Sequence, residues 1–328
     1  MPSACAHAYF ARDVYRTLEP KLKRKIDRDT MITFSQGPDV FYYQFLNPLQ
    51  NATVHAFGRL VHTTYPKKFL IHYIDHMKRY RLEKKPEVVA SLYGYLTHYL
   101  LDYYTHPLIY YKTGVYEYGN AATRQYIGKH QEMELLIDLY MLEKRERKKP
   151  AKIKLDRFLF PRVDFSISLK NLLNRVYQDV YETSNMGRRY LSNLKQMRFI
   201  YRHFRYDPYH LKQPFYHAFA TWFPTRLYRL QYTSYASELR AKIGYINHEH
   251  KPWCHPLDQT EICTDTFFDR YKKAQKEAVT LIQKMNLVLT GDMELRELEA
   301  ILPDVSYLTG KNWHIGTSMQ YFEKEGAL

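Results

Sequence analysis

Apolar residues recur along this chain with the 3.6-residue period of helices, while runs alternating with the two-residue period of strands are few, so the pattern predicts an all-α protein. In the first predicted helix His7, Phe10, Ala11, Val14 and Leu18 share a face, with Ser3 as N-cap, which turns His7 inward. A buried imidazole needs a partner. The turn Ser35-Gln36-Gly37-Pro38-Asp39 interrupts the periodicity, and Asp39 reads as the cap of a helix running into Val40-Phe41-Tyr42-Tyr43. Helices are predicted over 51–63, 67–82 and 86–105. The last of these begins at Pro86 and should end beside His106, because Pro107 disfavours helical geometry in the residue before it. The stretch 113–128 reads as a loop, followed by a helix that carries His130, Glu134 and Asp138 on one face. Past the basic segment Lys148 to Lys154, the best internal boundary, further helices are expected near 165–182, 185–205, 215–240 and 264–289.

With 328 residues and 45% hydrophobic content the chain can bury a core large enough to fold without staples. Its three cysteines, Cys5, Cys254 and Cys263, are odd in number and irregular in spacing, which argues against a disulfide framework and for a reducing compartment. No charged and then apolar leader opens the sequence and no 18 consecutive apolar residues occur, so the expectation is a soluble, cytoplasmic protein without a transmembrane segment. The net charge of +15, set among 32 Tyr and 17 Phe, favours polyanions: phospholipid headgroups, nucleic acid or phosphorylated metabolites.

Candidate chemistry is concentrated in the first 134 residues: His7, Asp39, His62, His98, Asp102, His106, His130 and Glu134. His98 with Asp102 and His130 with Glu134 are His-x-x-x-acid pairs, and four residues make about one helical turn, so each pair presents an imidazole and a carboxylate on one face. One such pair is weak evidence among fifteen histidines. Together these residues offer enough nitrogen and oxygen donors for two or three zinc ions.

In the order and context of its pieces, CAHAYF, GPDVFYY, FGRLVH, YGYLTHYLLDYYTHP and KHQEMELLID, the chain resembles the zinc-dependent phospholipase C family, closest to its bacterial intracellular-type branch. That resemblance implies a multi-helix bundle of the phospholipase C and zinc nuclease type, the fold being shared with the fungal zinc-dependent single-strand nucleases. It implies Asp39, His62, His98 and Asp102 as ligands of one zinc, and His106, His130 and Glu134 as ligands of a second. A third zinc, in secreted members, takes a histidine matching His7, a bridging carboxylate matching Asp102, and an N-terminal Trp. Here the sequence begins Met1-Pro2-Ser3 without that Trp, so two ions are expected and a third stands open. The family context favours His62 over His55, seven residues earlier on the same face.

A phosphodiester repels nucleophiles by its charge, and zinc ions roughly 3.5–4 Å apart neutralise that charge and ease deprotonation of water. Asp39 is the candidate ligand and general base. The expectation is therefore a phospholipase C-like zinc hydrolase of a phospholipid or other phosphodiester, with peripheral contact to anionic membrane and no nucleic acid in the first reading. Its metal-binding core covers 1–147, and helices over 155–328 complete a single domain. The rivals are a nuclease or soluble phosphoesterase on the same site, and a non-catalytic basic, aromatic binding protein.

Several side chains carry competing readings. His72 and His76 lie in a basic helix and read as a solvated face. Asp138 reads either as a support for an imidazole or arginine or as a structural salt-bridge residue. The group His248, His250, Cys254, His255 and Cys263 matches no usual zinc module, and a loop in which Trp253 packs and the imidazoles bond to backbone is preferred. In 198–210 Arg alternates with aromatics, a pattern of nucleic-acid platforms that at helical spacing more often forms core.

Overall fold

The computed structural model describes residues 4–323 apart from 47, 118, 147, 206, 208, 210, 213, 217, 219–242 and 317. Twelve helices are labelled here: α1 Ala4–Thr17, α2 Pro20–Lys23, α3 Arg28–Phe34, α4 Pro48–Thr63, α5 Pro66–Arg79, α6 Pro86–Thr113, α7 Lys129–Glu146, α8 Leu155–Leu159, α9 Ile167–Tyr181, α10 Met186–Ile200, α11 Phe267–Thr290 and α12 Leu295–Ile301. A short antiparallel hairpin, β1 Trp253–His255 and β2 Asp258–Cys263, is the sheet among the described residues. The all-α expectation holds. The predicted helix over 215–240 lies almost wholly outside the described residues, as does the Ser3 cap.

Helix starts follow local chemistry. Asp27 caps α3 by accepting from Thr30 N at 2.9 Å, Ser166 caps α9 from Leu169 N at 3.2 Å, and Thr266 with Asp269 forms a capping box on α11. Proline opens α5 and α6, where a missing N–H costs nothing. Helix α6 is apolar nearly all round, which suits only the centre of a bundle, and α1, α3, α5, α7 and α11 pack about it. Its approach to α3 is close enough that a Cβ at Gly94 would stand 2.4 Å from the Met31 carbonyl oxygen.

Two expectations are corrected. Helix α6 does not end beside His106 but continues through Pro107 to Thr113. The ring removes the backbone bond to the Tyr103 carbonyl, and packing holds the helix on either side: Arg270 Nη1 donates to the neighbouring Tyr104 carbonyl at 2.8 Å, and Gly310 packs closely against the Tyr103 carbonyl. Asp39 caps no helix, since it sits inside a 3-10 turn, Gly37–Tyr43.

Where a loop was expected after 250, Trp253 is indeed buried, with Nε1 donating to Asp265 O at 3.0 Å, but on a strand. His255 and His250 bond to the carbonyls of Thr309 and Thr264, and the five His and Cys side chains of this region form no donor cluster. In the basic aromatic run, Tyr201 is buried against Phe160 while Phe199 is exposed. Among the described residues no helix is long and apolar enough to cross a membrane.

Candidate metal centre

One face of α6 carries His98, Asp102 and His106, spaced one turn apart. Around it α1 brings His7, the 3-10 turn brings Asp39, the last turn of α4 brings His62, and the first turns of α7 bring His130 and Glu134. All eight sequence-derived candidates therefore meet, and all but His130 are buried. Asp102 lies at the middle, with Oδ1 3.1 Å from His7 Nε2 and Oδ2 3.0 Å from His98 Nε2. Asp39 Oδ1 is 3.1 Å from His62 Nε2, and Glu134 Oε1 is 2.7 Å from His130 Nε2 and 3.6 Å from His106 Nε2. His55, the rival to His62, belongs to none of the donor groups among the described residues, and its ring borders Tyr42 as that of His62 does.

Local backbone makes this convergence possible. Gly37 has φ +47°, and a Cβ there would stand 2.2 Å from His98 Cγ, so the turn presents Asp39 only because the His98 ring can lie against a bare Cα. The Asp138 carboxylate accepts from Cys5 N at 3.1 Å and Ala6 N at 2.9 Å, tying the first amides of α1 to α7. That contact fixes the turn bearing His7.

Three imidazoles are held by backbone carbonyls on the side away from the acids. His62 Nδ1 bonds to Gly58 O at 2.7 Å, His98 Nδ1 to Ser35 O at 3.0 Å and His106 Nδ1 to Tyr307 O at 2.8 Å. A carbonyl only accepts, so each Nδ1 carries the proton and each neutral ring presents a bare Nε2 to a carboxylate. Lone pairs facing one another at such distances require a shared proton or a cation. His98 Nε2 and Asp102 Oδ2 make no hydrogen bond despite their proximity, and His7 Nδ1 is also buried without a partner. Ligand atoms converge within 4.8 Å in three sets: His7, Asp39 and His98; His62, His98 and Asp102; His106, His130 and Glu134. Nitrogen and carboxylate donors with backbone-oriented rings fit zinc.

Electrostatics bind the same groups together. Burial pushes the Asp102 carboxyl up, but His98, His106 and His7 outweigh it and hold the carboxyl well below its usual range. Glu134 is likewise held low against burial by His130 and His106. Burial works to lower His106, yet Asp102, Glu134 and the Tyr307 carbonyl raise it to about 9. His130 is pushed down, first by burial.

The sequence pattern missed the segment after α12. Tyr307 is buried with its ring against His62, His98 and Tyr99; its N–H donates to His62 O at 3.1 Å, and its carbonyl accepts from His106, 201 residues away. Nothing in periodicity signals a contact of that span. The solvated-face reading is also corrected for His76, which is buried and pairs with Asp179, while His72 stays partly exposed.

No curated protein and no solved structure gives a significant match to the chain. A family model described as zinc dependent phospholipase C matches residues 6–186. That span is more than half of the chain and includes every donor from His7 to Glu134, and the chain belongs to the zinc-dependent phospholipase C family.

Proposed function

We propose that this protein hydrolyses the phosphodiester bond between glycerol and the phosphorylated headgroup of a phospholipid, with two or three zinc ions held by His7, Asp39, His62, His98, Asp102, His106, His130 and Glu134. The observation that carries this reading is the convergence of five imidazoles on three carboxylates, with three rings turned by backbone carbonyls so that Nε2 faces an acid. Family membership supports zinc as the metal. In this reading residues 1–147 carry the donors, and the later helices with the Tyr307 segment complete one domain around them.

Bound zinc supplies Lewis acidity: it draws charge from the phosphoryl oxygens and makes a water proton easier to remove. The Asp39 carboxylate takes that proton as the water oxygen joins phosphorus. The bond from phosphorus to the glycerol oxygen then breaks, and a proton returns to that oxygen, leaving diacylglycerol and a phosphorylated headgroup. Asp102 and Glu134 stay ionised, as their neighbours favour, and keep the imidazoles in place. Among the eight donors His130 is the partly exposed one, and with the neighbouring Tyr110 ring it marks the side on which substrate enters. A net charge of +15 draws the protein to anionic interfaces, and three cysteines without a disulfide among the described residues suit a reducing compartment such as the cytoplasm.

The test offers zinc-loaded protein three substrates side by side: micellar phospholipid, single-stranded nucleic acid and a small chromogenic phosphodiester. Release of phosphorylated headgroup is expected, faster with added anionic lipid and slower with salt. Cleavage of nucleic acid with lipid untouched would move the activity to a nuclease, and inertness toward all three would leave a binding protein.

A further inference from the structure

We infer that His72, His76 and Asp179 form a second site for a divalent transition-metal ion, bridging α5 and α9 and sharing no residue with the centre on α6. His72 and His76 stand four residues apart on α5, and the ligand atoms of all three side chains lie within 4.8 Å of one another. His76 is buried, 3% exposed, and its Nε2 is 2.7 Å from Asp179 Oδ2, while its Nδ1 has no hydrogen-bond partner. The ring is held instead by stacking on Tyr80 at 5.7 Å, and Tyr80 is held by Arg175, whose guanidinium lies 4.5 Å over it and donates to its hydroxyl.

A plain ion pair between His76 and Asp179 would leave His72 without a part. Its imidazole lies near the same point, and burial together with Lys68 favours the neutral ring that has a lone pair to give. Asp179 is 44% exposed, which leaves it free to retreat to the separation of roughly 3.3 Å that two donors around one zinc ion adopt. It also leaves the remaining positions of the ion open to water. Two imidazoles and one carboxylate select zinc, copper, nickel or cobalt over magnesium and calcium.

An ion here ties α5 to α9 where Phe69 meets Tyr177 and Tyr181 meets Phe57 of α4, the helix that ends in His62. The site is therefore a structural clip behind the metal centre, and it adds an ion that the centre does not account for.

The experiment uses full-length protein loaded with zinc, freed of excess by gel filtration and then titrated calorimetrically with zinc alone. Metal content before titration reports on the centre, so a failure there is distinguishable from a failure here. Wild type is expected to take up one further ion and to melt at a higher temperature with it; His72→Ala and Asp179→Asn, which alter different helices, should lose both effects while keeping their initial zinc. The proposal is overturned if wild type takes up no further ion and also holds no more zinc before titration than His72→Ala, or if His72→Ala takes up as much as wild type.

Discussion

Asp102 has imidazoles against both of its oxygens, and the rings of His98 and His106 are turned toward the acids by carbonyls of Ser35 and Tyr307, so protons and cations compete for the same few positions. His106 records that competition. Its folded-state pKa, raised to about 9, lies above the value of about 6.5 in an unfolded chain. In metal-free protein its contribution to stability is therefore complete below about pH 6.5 and is lost as pH rises through about 9. Comparing urea midpoints of metal-free wild type and His106→Gln should give a difference of about 3 kcal/mol at pH 6 that shrinks steadily toward pH 9.5. A difference independent of pH would mean that His106 carries no extra proton in the fold. Asp39 poses a separate question, because its partner in the structure is the single ring of His62 at 3.1 Å. Asp39→Asn keeps the shape and one oxygen donor but cannot accept a proton, so turnover should fall roughly 100-fold or more while zinc content changes little. Near-normal turnover would reduce Asp39 to a dispensable ligand.

Among the elements, the 3-10 turn depends most on a single atom. Gly37→Ala forces a Cβ into the His98 ring at a φ of +47°, so His98 must leave its carbonyl partner Ser35 and zinc content should drop with activity, although neither residue is altered. A variant with full zinc would show that the turn can yield. The sequence made the donors legible because His-x-x-x-acid spacing and inward apolar faces are local properties: α1 buries His7, Phe10, Ala11 and Val14 as its stripe requires. Pro107 misled for the converse reason. Its local preference against a helix is real, but tertiary packing around α6 outweighs it, with Arg270 from α11 donating to the Tyr104 carbonyl beside the one that the proline frees. Asp138 and His76 were unreadable for the same cause, since their partners, the amides of α1 and Asp179 of α9, lie 132 and 103 residues away.

At the scale of the whole molecule, the centre joins α1, the 3-10 turn, α4, α6, α7 and the segment around Tyr307, which are brought together from both ends of the sequence. An unfolded chain offers the same donors scattered and mobile, so zinc binds the folded state preferentially and its binding energy adds to folding energy. At free zinc about a thousandfold above its dissociation constant the added stability is about 4 kcal/mol per ion, which corresponds to a rise in melting temperature on the order of 5–10 °C for a chain of this size. Chelation should therefore lower the melting temperature by at least that much, and zinc returned in excess should restore it. Magnesium should not, because imidazole-rich sites disfavour it. The His72→Ala variant serves as background, since it lacks the proposed α5–α9 site and its melting temperature should still fall on chelation. A metal-free sample that melts where the zinc-loaded protein does would show that these six segments are held together without the ion, and that the buried acids and imidazoles neutralise one another through shared protons alone.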